Sequence, residues 1–244
     1  MSSPITQLKK WATRRVFPHL RRSYSQSGED IIIADLFQRL KIDRPSFLDV
    51  GTNDPIALSN TYRLYTRGSR GVCVEPNPVL CRQIRRKRNR DTCLNAGIAF
   101  SEEREADYFM FDEAFHGLNT FSRSEASFWE QTGTPELGRP AVKEVRRVPL
   151  LDINEVMGRY FSPHPNLLSI DVEGLDLSIL QRIDFDRFVP EVICTETLGF
   201  TEDGRQFKKK DLPDFLQSKG YFSYADTYIN TIFCRSDAFP TFQH

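Results

Sequence analysis

Along this chain, short apolar runs that close on a glycine or a polar residue alternate with segments whose apolar positions recur at helical spacing. "SFLDVG" (46–51), "GVCVEP" (71–76), "DTCLNAGIAF" (91–100), "NLLSIDVEG" (166–174) and "PEVICTET" (190–197) read as five buried strands. Between and after them, "SNTYRLYTR" (59–67), "PVLCRQIRRKRNR" (78–90), "LDLSILQRI" (175–183) and "KKKDLPDFLQSKG" (208–220) read as helices. A further helix precedes them: "EDIIIADLFQRL" (29–40) has acids in its first turn, where the helix dipole favours negative charge. "EVRRVPLLDINEVM" (144–157) predicts a short strand followed by a helix, and "ADYFMF" (106–111) alternates with period two as an extra strand or hairpin arm. "YFSYADTYINTIFCR" (221–235) reads as a closing antiparallel pair. Near-continuous apolar strands separated by helices predict an α/β fold, a doubly wound and mostly parallel sheet covered on both faces. The C-terminal pair then forms an antiparallel edge.

Composition refines this without redirecting it. A length of 244 residues suits one large domain or two small ones. The pattern favours one domain from 23 to 244, with residues 112–140, glycine-rich and weakly periodic, as a lid insertion. Residues 1–22 form a basic arm or helix: from Ile5 they hold six Lys/Arg and no acid, interleaved with Leu8, Trp11, Val16, Phe17 and Leu20. That composition fits either a solvated arm or a peripheral membrane contact. Pro18 interrupts it. Lysine plus arginine equals aspartate plus glutamate at 33 each, so no global field points to nucleic acid. The second basic run, residues 82–90, with six Lys/Arg, reads as the solvated surface of a helix. Five cysteines form no CxxC pair, which predicts reduced thiols in the apolar interior, no zinc site and a cytoplasmic protein. No apolar stretch approaches the ~18 residues needed to span a bilayer.

In doubly wound sheets, ligands bind at the carboxyl ends of the strands. The first strand ends "LDVGTNDP", which puts Asp49 and Gly51 at that edge. The second ends "VEPN", with Glu75 24 residues after Gly51, a position suited to a ribose diol. No GxGxxG follows the first strand, which disfavours a dinucleotide and favours a nucleoside without phosphates, such as S-adenosylmethionine.

"YSQSGEDIIIADLF", "FLDVGTNDPIALSNTYRLY", "GVCVEPNP", "LNAGIAFS" and "LLSIDVEGLDLSILQRIDF" together resemble the FkbM family of S-adenosylmethionine-dependent methyltransferases. The resemblance implies a Rossmann-like class I sheet of seven strands and O-methylation of a hydroxyl on a sugar, glycan or natural product. It implies that Asp49 and Gly51 line the methionine part of the cofactor, that Glu75 holds the ribose with Pro76 and Asn77 beside it, and that Asn95 and Ala96 border the adenine. Gln26, Glu29 and Asp30 then close over the cofactor, the two acids being equally readable as first-turn helix residues. Ser59, Asn60 and Thr61 match the family and also suit a helix cap.

An alcohol acceptor needs a general base or a metal. Asp171, Glu173, Glu196 and His116 are the candidate bases. Asp171 with Glu196 and Glu173 also makes an oxygen set suited to Mg²⁺. Asp176 is expected to be a helix-start acid without chemistry. The expected partners are a small-molecule or glycan acceptor and no nucleic acid. A non-catalytic binding module and an NAD-dependent enzyme are the alternatives. The first is disfavoured by the acids kept at the strand ends, the second by the missing glycine fingerprint.

Overall fold

The structure is a computed structural model that describes residues 22–134, 137–172, 174–201 and 205–240. The basic arm up to residue 21, Glu173 and His244 lie outside the described residues. The elements run α1 (Glu29–Arg39), β1 (Phe47–Val50), α2 (Tyr62–Thr66), β2 (Gly71–Val74), α3 (Pro78–Lys87), β3 (Thr92–Leu94), β4 (Gly97–Ile98) and β5 (Glu105–Phe111). A 3₁₀ turn (Glu113–Leu118) follows, then α4 (Arg123–Thr132), β6 (Val142–Leu151), α5 (Ile153–Tyr160), β7 (Leu167–Ile170), α6 (Asp176–Gln181) and β8 (Val192–Glu196). The chain closes with β9 (Leu198–Phe200), β10 (Gln206–Lys208), α7 (Asp211–Ser218), β11 (Tyr221–Asp226) and β12 (Asn230–Arg235).

Seven strands form the main sheet in the order β11-β12-β8-β7-β1-β2-β3. The five from β8 to β3 are mutually parallel, and β12 runs antiparallel to both β8 and β11. Alternate strand residues enter opposite layers. Leu48, Val50, Val74, Leu168, Ile170 and Ile193 pack under α5, α6 and α7, while Phe47, Cys73, Leu167, Val192 and Ile232 pack under α1, α2 and α3. All five cysteines are free and buried in the second layer. No described helix is long and apolar enough to cross a membrane.

Parallel register fixes the site. Val50 pairs with both Val74 and Ile170, and Ile170 pairs with Thr195. The next residues, Gly51, Glu75, Asp171 and Glu196, therefore stand in a row along the carboxyl edge.

Three sequence expectations need correction. The run 91–100 holds its strand, β3, which ends at Leu94, but it also holds β4, which leaves the sheet to pair with β6 in a separate three-stranded sheet, β4-β6-β5. The strand after residue 140 is not short. β6 spans ten residues with five consecutive exposed positions, because both faces of its first half look to solvent and carry no apolar signal. Finally, the run 82–90 is not all surface. Arg88 is fully buried, with its Nε 2.8 Å from Asp91 Oδ2 and its Nη1 3.6 Å from Asp49 Oδ2. Its Nη2 donates to Thr61 Oγ1 at 2.9 Å.

Candidate active site

Backbone geometry at the end of β1 creates the opening. Gly51 has φ +79°, a left-handed conformation that glycine adopts without steric cost, and its N–H donates to Val74 O at 3.0 Å. A Cβ built there would stand 1.9 Å from Asp171 O. Gly51→Ala is therefore expected to destabilise the fold by about 2 kcal/mol or more, through backbone strain and the forced parting of β1 and β7. Urea unfolding of the two proteins measures this, and equal midpoints would show that the two strand ends separate freely.

Beyond Gly51 lies a cavity of about 280 Å³, close to the lower end of typical ligand pockets at ~300 Å³. Its floor includes Gly51, Thr52, Asn53, Glu75 and Asp171, and Leu80, Ile98, Phe100, Tyr108 and Phe121 give it an apolar side. Residues 116–121, from the stretch expected to be a lid, line it as well.

The carboxylate of Glu75 is buried. Its Oε2 accepts from the Asn53 N–H at 2.8 Å and its Oε1 from the Asn77 N–H at 2.7 Å. Burial pushes its pKa up to about 7; the two backbone donors hold it down and Asp49 adds to the rise. A carboxylate has about four acceptor sites, so two remain for a pair of ligand hydroxyls.

Of the residues expected at the cofactor, Gln26, Gly51, Glu75, Pro76 and Ala96 line the cavity. Asp49, Asn77 and Asn95 are not among its lining residues; each does a structural task one layer behind. Asp49 Oδ2 accepts from Thr61 Oγ1 at 2.5 Å and faces Arg88. Asn77 caps α3 by accepting from the Val79 and Leu80 N–H groups. Asn95 Nδ2 donates to the carbonyls of Glu75 and Pro76 at 2.9 and 2.8 Å, which braces the loop carrying Glu75. Glu29 and Asp30 also stand behind the cavity. Asp30 pairs with Arg63 at 2.9 Å, and Glu29 Oε1 accepts from Thr227 Oγ1 and from Nδ2 of Asn230, a lining residue.

Of the candidate bases, Asp171 and His116 line the cavity. Asp171 is an exposed residue on the floor of the cleft. Its pKa is pushed up to about 7 by surrounding protein, then by the negative charges of Asp176 and Asp49, against the pull of Lys209. Glu196 is half-buried, is not among the lining residues and holds Lys209 Nζ at 3.5 Å. Burial, then Asp171, pushes its pKa up to about 8. Glu173 lies outside the described residues. Asp176 does begin a helix, but it is buried, not a surface dipole acid, and its Oδ1 accepts from Thr195 Oγ1 at 3.2 Å.

The model of the methyltransferase FkbM domain matches residues 49–223. The chain belongs to the FkbM methyltransferase family. That family is one of S-adenosylmethionine-dependent methyltransferases, and the seven-stranded, mostly parallel sheet is of the Rossmann-like kind. Similar solved structures include an FkbM methyltransferase from Methylobacillus flagellatus KT, at 11% identity and TM-score 0.42, covering 79% of this chain and 44% of that one. The present chain thus spans less than half the length of that relative. Others are an amino pentose methyltransferase from Micromonospora echinaspora bound to SAM (10% identity, TM-score 0.44, 96% and 98% covered) and a putative rRNA methylase from Clostridium thermocellum (10%, 0.45, 88% and 100%). These likenesses are too distant to bear on the acceptor. No curated protein matches.

The cavity of this FkbM protein suits the nucleoside end of S-adenosylmethionine. Asn53 Oδ1, His116 Nδ1, Asn119 Nδ2 and Asn230 Oδ1, all on lining residues, are buried polar atoms without partners among the described residues, a state that a ligand relieves. Asn60, Asn119 and Asn230 were not expected at the cofactor. Asn60 was legible as part of a stretch that matches the family and also suits a helix cap, whereas Asn119 and Asn230 are brought in by loop and hairpin geometry. A metal does not fit as well. Among the described residues, no three His, Cys, Asp or Glu side chains stand together as an ion site. Glu196 is committed to Lys209, so no step below uses a metal.

Proposed function

We propose that this protein transfers a methyl group from S-adenosylmethionine to a hydroxyl of a sugar, glycan or natural product. The observation that carries this reading is Asp171: an exposed residue at the carboxyl end of β7, on the cavity floor beside Gly51, with its pKa raised to about 7. When bound, S-adenosylmethionine supplies an electrophilic methyl on a sulfonium.

The chain's residues do the rest. Glu75 uses its two free acceptor sites for the ribose hydroxyls, held in place by the Asn53 and Asn77 N–H groups. Leu80, Ile98, Phe100 and Phe121 give the base an apolar slot. Asp171 accepts the acceptor's hydroxyl proton on a carboxylate oxygen as the oxygen–carbon bond forms. A base with a pKa near the working pH is efficient for this transfer. The surrounding carboxylates favour a nearby sulfonium, whose positive charge in turn favours ionised Asp171. The acidic limb of kcat/KM is therefore expected near pH 7, and that of kcat at lower pH.

The test is product analysis: incubate the protein with methyl-labelled S-adenosylmethionine and a panel of hydroxyl- and amine-bearing sugars and polyketide-like alcohols, then locate the label by NMR. Label on oxygen supports the proposal. Label on nitrogen or carbon alone overturns it.

A further inference from the structure

The opposite edge of the sheet, at the amino ends of the strands, carries a charge pattern that methyl transfer does not use. Residues 62–90 contain nine Lys/Arg and one acid, the buried Glu75. Arg88 is buried and Arg63 is half-buried against Asp30; the other seven, Arg67, Arg70, Arg82, Arg85, Arg86, Lys87 and Arg90, are exposed. In a protein with no formal net charge, this is a strong local asymmetry.

The topology gathers Arg67, Arg70, Arg86, Lys87 and Arg90 at that edge, while Arg82 lies earlier along α3. β1, β2 and β3 are parallel neighbours, so α2 and α3 both return to the amino edge, where the turn 67–70 and residues 88–91 enter β2 and β3. Contacts tie the two segments together: the Tyr65 hydroxyl donates to Asn89 Oδ1 at 3.2 Å, Arg90 Nη2 donates to Tyr65 O at 2.5 Å, and the Gly71 N–H donates to Asp91 Oδ1 at 3.0 Å. The nearest acids are engaged: Asp91 with Arg88, Asp35 with Arg39 and Asp43 with Arg44. Arg22 lines a surface hollow with Arg63, Thr66 and Arg67, so the basic N-terminal segment joins the domain at the rim of this same face.

We propose that this face and the basic N-terminal segment together dock the protein on an anionic phospholipid surface. The sequence up to Arg22 pairs six Lys/Arg with Leu8, Trp11, Val16, Phe17 and Leu20 and includes no acid from Ile5 onward, a composition suited to the interface of an anionic bilayer. Single-stranded nucleic acid is the lesser fit, since stacking of bases needs exposed rings: among the described residues of this face Tyr65 is buried beneath Arg90, and Tyr24 and Tyr62 are half-buried with their rings packed edge to face. A bilayer on the amino edge leaves the cofactor cleft, at the carboxyl edge, open to the acceptor.

The test uses the full chain and sedimentation with phosphatidylcholine vesicles, either pure or mixed equally with phosphatidylserine. Binding is expected only to the mixed vesicles, and it is expected to weaken between 0.1 M and 1 M salt as the screening length falls from ~10 Å to ~3 Å. The combined variant Arg67→Gln, Arg70→Gln, Arg86→Gln and Lys87→Gln is expected to partition at least ~10-fold less, at roughly fivefold per cation near the surface. Its S-adenosylhomocysteine binding stays unchanged, because none of the four lines the cleft. Lys9→Gln, Lys10→Gln, Arg14→Gln and Arg15→Gln together are expected to weaken binding likewise. Three results would overturn the proposal: equal binding to pure phosphatidylcholine, full binding by the four-residue surface variant, or binding to an RNA oligonucleotide with none to mixed vesicles.

Discussion

Asp171→Asn is expected to lower kcat by roughly 10²–10⁴-fold, the contribution of a positioned general base, with S-adenosylhomocysteine affinity kept within a few-fold. Asparagine has nearly the same shape but cannot take a proton. With the cofactor saturating, the variant should also lose the acidic limb of kcat, whereas Glu75 keeps one in kcat/KM near pH 7. Stability separates this role from a structural one. A carboxyl whose folded pKa, about 7, exceeds its unfolded value of ~3.9 binds more protons when folded between those pH values. Its contribution to stability therefore falls as pH rises through that window. Removing the charge is expected to leave the unfolding temperature at pH 8 unchanged or higher. Unaltered turnover would move the base to His116, which lines the same cavity. A large drop in unfolding temperature would make Asp171 a structural residue.

Arg88 predicts the opposite outcome. It is fully buried between Asp91 and Asp49, and its guanidinium also lies 5.3 Å from the Phe47 ring and 5.7 Å from the Tyr65 ring centres. Arg88→Ala strands two carboxylates and opens a void. Breaking such a buried set costs about 3–5 kcal/mol, which for a domain of this size lowers Tm by roughly 6–20 °C. Arg88→Lys keeps the charge but cannot serve Asp91, Thr61 and Asp49 at once, so it should fall between the two. Calorimetric unfolding checks both. An Arg88→Ala protein as stable as the wild type would mean that the guanidinium is hydrated and the network is slack.

These two residues show what the sequence made legible. Asp171 and Glu75 could be read because parallel register is set by the apolar runs themselves: once Val50, Val74 and Ile170 are adjacent, the residues that follow share one edge. Arg88 was hidden by its neighbours, since six cations in nine residues read as surface. A signal was present all the same, as Leu80, Ile84 and Arg88 follow at four-residue spacing on the buried face of α3. Asn77 and Asn95 illustrate the converse. Their places beside the ligand loops were expected, but a short polar side chain next to unpaired backbone groups caps or braces before it reaches a ligand. β6 and the three-stranded sheet escaped because a strand with a solvated face and five exposed residues in sequence carries little period-two signal. Asn230 reaches the cavity only because the β11–β12 hairpin folds back against β8 and Glu29 holds its amide.

The account's central claim is that the cavity at the carboxyl edge is an S-adenosylmethionine site organised by Glu75. Isothermal titration of the purified protein with S-adenosylhomocysteine, alongside NAD, tests it most directly. The prediction is one-site binding of S-adenosylhomocysteine at pH 8 that weakens as pH falls through about 7, where Glu75 takes up a proton, up to ~10-fold for each pH unit below. Glu75→Ala should bind at least ~10-fold more weakly at pH 8, with the pH dependence flattened, since a hydrogen bond to a charged acceptor is worth ~1.5–3 kcal/mol. Binding of NAD without S-adenosylhomocysteine, or full affinity in Glu75→Ala, would contradict the claim.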